Sequence, residues 1–340
     1  MTSRWGQILV LAMVFALTGC ASLGTQRVGI DRSDYTERLR DSEKAQLLSN
    51  IVAMRYGDAP LFLSVTSVIS QYTMEASGGV HLSLSPPSGD EKGNANAAIL
   101  LRETPTVTYT PMSGERFSHN MLAPIPPVSL LAMMEAGWAS DRLFRLAVRS
   151  LNGVKNVSRA PLFEQDADPR FAEAIGALRR LQRTGAVNVR MREHDKTYSA
   201  VARLAPDLGA AQRADIEILR KDLGFSFAGQ EMEIVFASKP GQGAEVAVAT
   251  RSMFELLQEM SQCVDIRGDG QFPASALLRV HSGSSAPGTA HVAVKARGRW
   301  FWIDRDDDES KAMFLVAQVL MSLSDEASAS SAPLVTIPLG

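Results

Sequence analysis

Apolar and polar positions alternate along the chain in two rhythms, one helical and one extended. Ile8 to Leu17 is an unbroken apolar run. As a helix it spans only about half of a ~30 Å hydrocarbon core, so it reads as the h-region of a signal peptide rather than a membrane span. Ala21 to Asp31 reads as a short, Gly-containing tether. A polar helix is predicted from about Ser33 to Tyr56, with Leu47, Leu48, Ile51 and Val52 as its apolar stripe and Gly57-Asp58-Ala59-Pro60 as its stop. Leu61 to Met74 is rich in Leu, Val, Ile, Thr and Ser and predicts a strand. Gly78-Gly79 is expected to turn the chain, after which Val80, Leu82 and Leu84 alternate with small or polar residues. Pro86 to Ala97 reads as a polar loop and Thr104 to Thr110 as another strand.

Ile125-Pro126-Pro127 marks a linker. Helices are predicted over Ser129–Ala136, over Asp141–Leu151 (closed by Asn152-Gly153), and over Pro169–Thr184 with Phe171, Ile175, Leu178 and Leu181 on one face. Val187–Arg192 and Thr197–Leu204 follow as a hairpin, then a helix over Asp207–Leu223. Glu231–Ser238 and Ala244–Thr250 read as a strand pair turned by Gly241-Gln242-Gly243. A helix over Ser252–Gln262 precedes strands at Ala276–His281, His291–Arg297 and Arg299–Asp304. Glu309 to Leu323 is apolar almost all round, which predicts a helix buried on more than one side. Ser324 to Ser331 is a polar linker, and Leu334 to Leu339 reads as a last strand. Strands joined by hairpins with helices between them predict an α+β fold: antiparallel sheets with interspersed helices in two or three compact regions. The expected divisions are a signal peptide at 1–19, a tether at 20–31, and regions at 32–124, 125–229 and 230–340.

Composition changes this picture in two ways. The 35 basic and 37 acidic residues nearly balance, so no general pull toward nucleic acid or anionic lipid is expected. Only two cysteines are present, Cys20 and Cys263. Leu17-Thr18-Gly19-Cys20 follows the apolar run and resembles the lipobox of bacterial lipoproteins. The resemblance implies diacylglycerol on the Cys20 thiol, cleavage before Cys20 and acylation of the new amino group, and two or three acyl chains anchor stably. Ala21 in place of Asp implies, by the same resemblance, the outer membrane, with the inner membrane as the alternative. With Cys20 acylated, only Cys263 keeps a thiol and no intramolecular disulfide can form, so stability must come from an apolar core.

The chemistry-bearing positions each admit two readings. Asp304, Asp306 and Asp308 could offer oxygen ligands to a hard cation. The same acidic run also suits a strand-to-helix turn in which one Asp caps the helix. His281 and His291, on neighbouring predicted strands, could meet and join a carboxylate from that turn as a metal site, or serve as ordinary strand histidines. Cys263 follows an apolar helix and reads as a buried structural thiol. Trp300 and Trp302 share one face of a strand, suiting either a partner surface or packing against the 309–323 helix. Arg179, Arg180, Arg183, Arg190 and Arg192 give the helix and hairpin of 169–204 the outline of a winged helix, which a periplasmic address turns away from DNA.

The segments LLSNIVAMRYGDAPLFLSVTSVISQY (Leu47–Tyr72) and RGRWFWIDRDDDESK (Arg297–Lys311) resemble a group of envelope lipoproteins of Gram-negative bacteria. That resemblance implies an envelope location and brings no activity or catalytic residue with it. The expected function is therefore a non-catalytic binding or scaffolding component of the cell envelope, held on the membrane through Cys20 and partnered by another envelope protein, with no cofactor and no nucleic acid. A periplasmic metal-dependent hydrolase and a carrier of a small apolar ligand are the alternatives.

Overall fold

The computed structural model describes residues 23–82, 93–194, 197–224, 231–241, 245–273 and 276–326. Cys20, the signal region and the 334–339 strand lie outside the described residues. The elements in chain order are α1 (Leu23–Arg55), β1 (Leu63–Leu82), β2 (Gly93–Pro111), α2 (Pro127–Glu135), α3 (Ser140–Ala147), β3 (Val148–Leu151), β4 (Val154–Lys155) and α4 (Pro169–Arg183). They continue with β5 (Val187–His194), β6 (Thr197–Leu204), α5 (Ala210–Leu223), β7 (Glu231–Val235), β8 (Glu245–Thr250) and α6 (Met253–Ser261). The last are β9 (His281–Gly283), β10 (Val292–Ala296), β11 (Arg299–Ile303) and α7 (Asp308–Glu326). The fold is α+β, with antiparallel and mixed sheets.

The chain forms two compact units, Leu61–Gly114 and the remainder. In the larger unit a six-stranded sheet runs in the order β4-β3-β8-β7-β6-β5. Helix α2 packs on β5, β6 and β8, and α4 packs on α5. Their apolar side chains fill one face of this sheet, where Leu131, Phe144, Leu181 and Val248 are buried. This sheet takes strands from both the 125–229 and the 230–340 stretches. A second sheet, β10-β11-β9, lies beside α1, whose residues contact β10 and α6. The predicted stripe Leu47, Leu48, Ile51 and Val52 is wholly buried there.

Local chemistry explains most boundaries. Asn152 and Gly153 both adopt positive φ, 47° and 83°, the pattern of a two-residue hairpin turn, and Leu151 faces Val154 across it. The helix expected over Asp141–Leu151 therefore stops at Ala147, and 148–151 become a strand. Arg297 (φ 48°) and Gly298 (φ 81°) turn β10 into β11 in the same way. Asp168 caps α4, accepting the Arg170 N–H at 3.0 Å, with Pro169 at the first helical position. Ser252 and Glu255 form a reciprocal capping box on α6.

Three expectations are corrected. The chain does not turn at Gly78-Gly79; β1 runs through both glycines as one 20-residue strand. β7 and β8 lie parallel and do not form the expected hairpin. Helix α1 begins at Leu23, within the stretch expected to be a tether. Among the described residues no helix is long and apolar enough to cross a membrane.

Candidate functional site

The sequence candidates assemble only in part. β11 lies between β9 and β10, so the backbones carrying His281 and His291 sit two strand spacings apart, roughly 9.5 Å. That order prevents the pairing expected of adjacent strands. His281 instead places Nε2 3.2 Å from Asp304 Oδ2, and its ring stacks on Trp302 at 5.8 Å with Phe272 edge-on at 5.0 Å. Trp302 Nε1 donates to Asp304 Oδ1 at 2.8 Å. Gly283 makes room for this indole, since a Cβ there would come within 3.2 Å of the ring. The result is a half-exposed cluster of one imidazole, one carboxylate and two aromatic rings. Asp304 orients and pairs with His281, but a metal site or a triad needs a third group.

His291 does not supply it. Its ring meets Phe314 edge-on at 6.3 Å, and burial, then Lys44 and Lys311, hold its pKa below the ordinary imidazole value. Asp306 is exposed, and Asp308 pairs with Lys311 at 2.7 Å. Among the described residues no three His, Cys, Asp or Glu side chains gather as a metal-ligand set. The acidic turn works as a cap. Asp307 accepts the Ser310 N–H at 3.0 Å and its hydroxyl at 2.6 Å, and takes a third bond from Arg279 at 3.0 Å. Burial pushes the Asp307 carboxyl up, yet the bonds from Ser310 and Arg279 outweigh it and hold the pKa below the usual value.

Trp300 and Trp302 are half-buried, while the alternate residues Phe301 and Ile303 are fully buried. Phe301 meets Tyr56 of the turn after α1 edge-on at 6.2 Å. The strand thus turns Phe301 to the core and the two indoles to the half-exposed face. Helix α7 is covered by α6, by α3 and by the Ser118–Leu122 turn.

Sequence patterning missed a buried polar network between β3, the 156–160 segment and α6. The Arg251 guanidinium, buried at 2 % exposure, donates to the carbonyls of Arg145 (3.1 Å), Leu146 (2.9 Å) and Val157. Burial pushes its pKa down, and Glu259 and Glu255 oppose that. Glu259 accepts the Ser158 hydroxyl and the N–H groups of Arg159 (2.9 Å) and Ala160 (3.0 Å). Arg149 pairs with Glu255. Each buried charge is thereby matched by donors or acceptors that tie loop to helix, a structural duty. Cys263 lies beside this network, buried, with burial raising its pKa and so keeping the thiol protonated. On the sheet's helical face an all-apolar cavity of about 70 Å³, lined by Leu131, Phe144, Val189 and Val246 among others, is too small for a lipid chain.

The smaller unit, Leu61–Gly114, is built from one pair of strands. β1 and β2 form an antiparallel ribbon with Leu63 opposite Pro111 and Leu82 opposite Gly93. A bulge at Thr66, whose hydroxyl donates to the Thr108 carbonyl at 3.2 Å, resets the register near its base. Directly opposed residues share a face, so the register sorts the ribbon into two faces. One face carries Leu63, Val65, Val68, Ser70, Tyr72, Met74, Ala76, Gly78, Val80 and Leu82, opposite Pro111, Tyr109, Val107, Pro105, Glu103, Leu101, Ile99, Ala97, Ala95 and Gly93, apolar but for Ser70 and Glu103. The other carries Ser64, Ser67, Ile69, Gln71, Thr73, Glu75, Ser77, Gly79 and His81, opposite Thr110, Thr108, Thr106, Thr104, Arg102, Leu100, Ala98, Asn96 and Asn94, and is mostly polar. At the base of the apolar face, Leu63 and Tyr109 are 38 % and 51 % exposed. The alternation was readable in the sequence through Gly78-Gly79; reading the glycines as a turn hid it. Comparison with protein families, with curated proteins and with solved structures found no match.

Proposed function

We propose that this chain is a lipid-anchored lipoprotein of the outer membrane, facing the periplasm, that acts by association with other envelope components and not by turnover. The observation that carries the reading is the two-faced ribbon of β1 and β2, a surface whose geometry suits assembly. A two-stranded sheet is at best marginally stable alone, and an ordered apolar face is stabilised by a partner. The lipobox resemblance supports the address: acyl chains on Cys20 would hold the chain at a membrane, about 0.8 kcal/mol per buried CH₂. The conspicuous polar groups elsewhere support it too. Asp307, Glu255, Glu259 and Arg251 are occupied in capping helices and in fastening loops.

Metabolic labelling with a fatty acid, followed by membrane fractionation, tests the proposal. The parent chain should carry label and sediment with outer membranes, and Cys20→Ala should lose both. Label retained by Cys20→Ala, or a parent chain found unlabelled in the soluble periplasm, would refute the lipoprotein reading.

A further inference from the structure

The ribbon's last nine levels, Met74–Leu82 facing Gly93–Leu101, hold a pattern that neither a tether nor a water-facing hairpin needs. Every position on one face is apolar: Met74, Ala76, Gly78, Val80 and Leu82 opposite Leu101, Ile99, Ala97, Ala95 and Gly93. The other face carries Glu75, Ser77, Gly79 and His81 opposite Leu100, Ala98, Asn96 and Asn94, polar along most of β1 and mixed along β2, and Glu75 is the one formally charged residue in the span apart from a protonated histidine. No proline interrupts it; Pro105 and Pro111 lie nearer the base. Nine residues per strand is the length that crosses a hydrocarbon core as a tilted β-strand, and apolar-out, polar-in alternation is the pattern of such strands.

The strand edges make the second argument. Among the described residues β1 pairs only with β2, and β2 only with β1. In an antiparallel pair about every second residue turns its N–H and C=O outward, so each edge of this span presents roughly four residues' worth of unmatched backbone groups. In water such an edge invites another strand, and in lipid each unmatched group costs several kcal/mol, so only a closed ring of strands removes both penalties. One chain supplying two strands cannot close. Several copies, each contributing one ribbon side by side, can: the β1 edge of one copy meets the β2 edge of the next, a heterologous contact that repeats around a ring.

We propose that copies of this chain associate through the free edges of their β1–β2 ribbons into a transmembrane β-barrel. The apolar face lies against lipid and the Glu75–Ser77–His81 face lines a water-filled lumen. This rests on the lipoprotein reading above, which would bring each ribbon to a membrane surface and name the lipid as what covers the apolar face. At the ribbon's base, beyond Tyr72 opposite Glu103 and Ser70 opposite Pro105, Leu63 and Tyr109 on the same face are exposed.

The test uses the acylated full chain in vesicles of phosphatidylethanolamine and phosphatidylglycerol loaded with calcein. Single cysteines placed in turn at positions 74 to 82 carry an environment-sensitive fluorophore; Cys263 is buried and Cys20 is expected to be acylated, so neither should label. Quenching should alternate with period two, by lipid nitroxide at 74, 76, 78, 80 and 82 and by aqueous iodide at 75, 77, 79 and 81. The vesicles should release calcein. Val80→Lys, a charge on the lipid face, should cut release by more than about tenfold, while His81→Lys should leave it intact. Both variants should melt as the parent does, since neither position belongs to the larger unit. Acylated, membrane-bound chain that shows iodide quenching at every position and releases no dye would overturn the barrel and leave the lipoprotein reading standing. Alternation already present in detergent-free solution, without vesicles, would overturn it as well, by showing a second copy and not lipid on the apolar face. Absence of acyl label would instead sink the underlying reading, whatever the vesicles show.

Discussion

At His291 a single imidazole reports on its surroundings. Burial first, then the ammonium groups of Lys44 and Lys311, disfavour the charged ring, and Asp41 opposes them. The folded-state pKa therefore lies below the ordinary value of 6.5. As pH falls, the unfolded chain takes up the proton first, so the stability tied to neutral His291 is complete above about pH 6.5 and is lost as pH falls through the folded value. The melting temperature should drop between about pH 7.5 and 5.5, and the drop should shrink in His291→Gln. An unchanged slope in that variant would assign the pH dependence elsewhere. Other residues show how far residue type alone carries. That one Asp of the acidic turn caps a helix, and that Cys263 is a buried thiol, were legible from type and position; that the cap is Asp307 was not. The use of Arg251 was not, because three carbonyls from separate turns converge on it only after folding.

At the level of elements, α7 separates a buried helix from a one-sided one. Met313, Phe314, Val316, Ala317 and Leu320 are buried, while Leu315 and Leu323 are 50 % and 42 % exposed. The run that reads as apolar all round is therefore covered over most of its circumference and open along one line. Phe314→Ala should destabilise the larger unit by about 3–5 kcal/mol through lost transfer energy and the cavity left behind. Leu315→Ala, on the open line, should stay within about 0.5 kcal/mol in the same urea titration. Equal losses at the two positions would contradict this packing. The boundaries elsewhere follow local chemistry with different success. Asn152-Gly153 announces a hairpin, yet the helical spacing before it masked the strand at 148–151. Gly78-Gly79 carries the same outward sign of a turn and is nevertheless strand, because residues at the same parity pair without interruption on both sides. A glycine pair permits a turn and does not compel one.

On the scale of the whole molecule, the larger unit holds its own core, and the ribbon begins and ends at one place. The Met112 N–H donates to the Phe62 carbonyl at 2.8 Å, so the two ends of the ribbon are bonded neighbours. Replacing 63–111 by a two-glycine turn should leave the melting temperature of the larger unit within a few degrees of the parent, read by near-UV circular dichroism. Loss of cooperative melting would show that the ribbon contributes to the core. By itself the sequence determined the α+β class, the buried stripe of α1 and the helices α4 and α6, because each rests on spacing or side-chain chemistry within a few residues. Tertiary structure alone decided that β11 separates His281 from His291, that β7 and β8 run parallel, and that Arg251 and Glu259 knit a loop to a helix. Strand order and converging hydrogen bonds depend on which distant segments meet, and no local pattern encodes that.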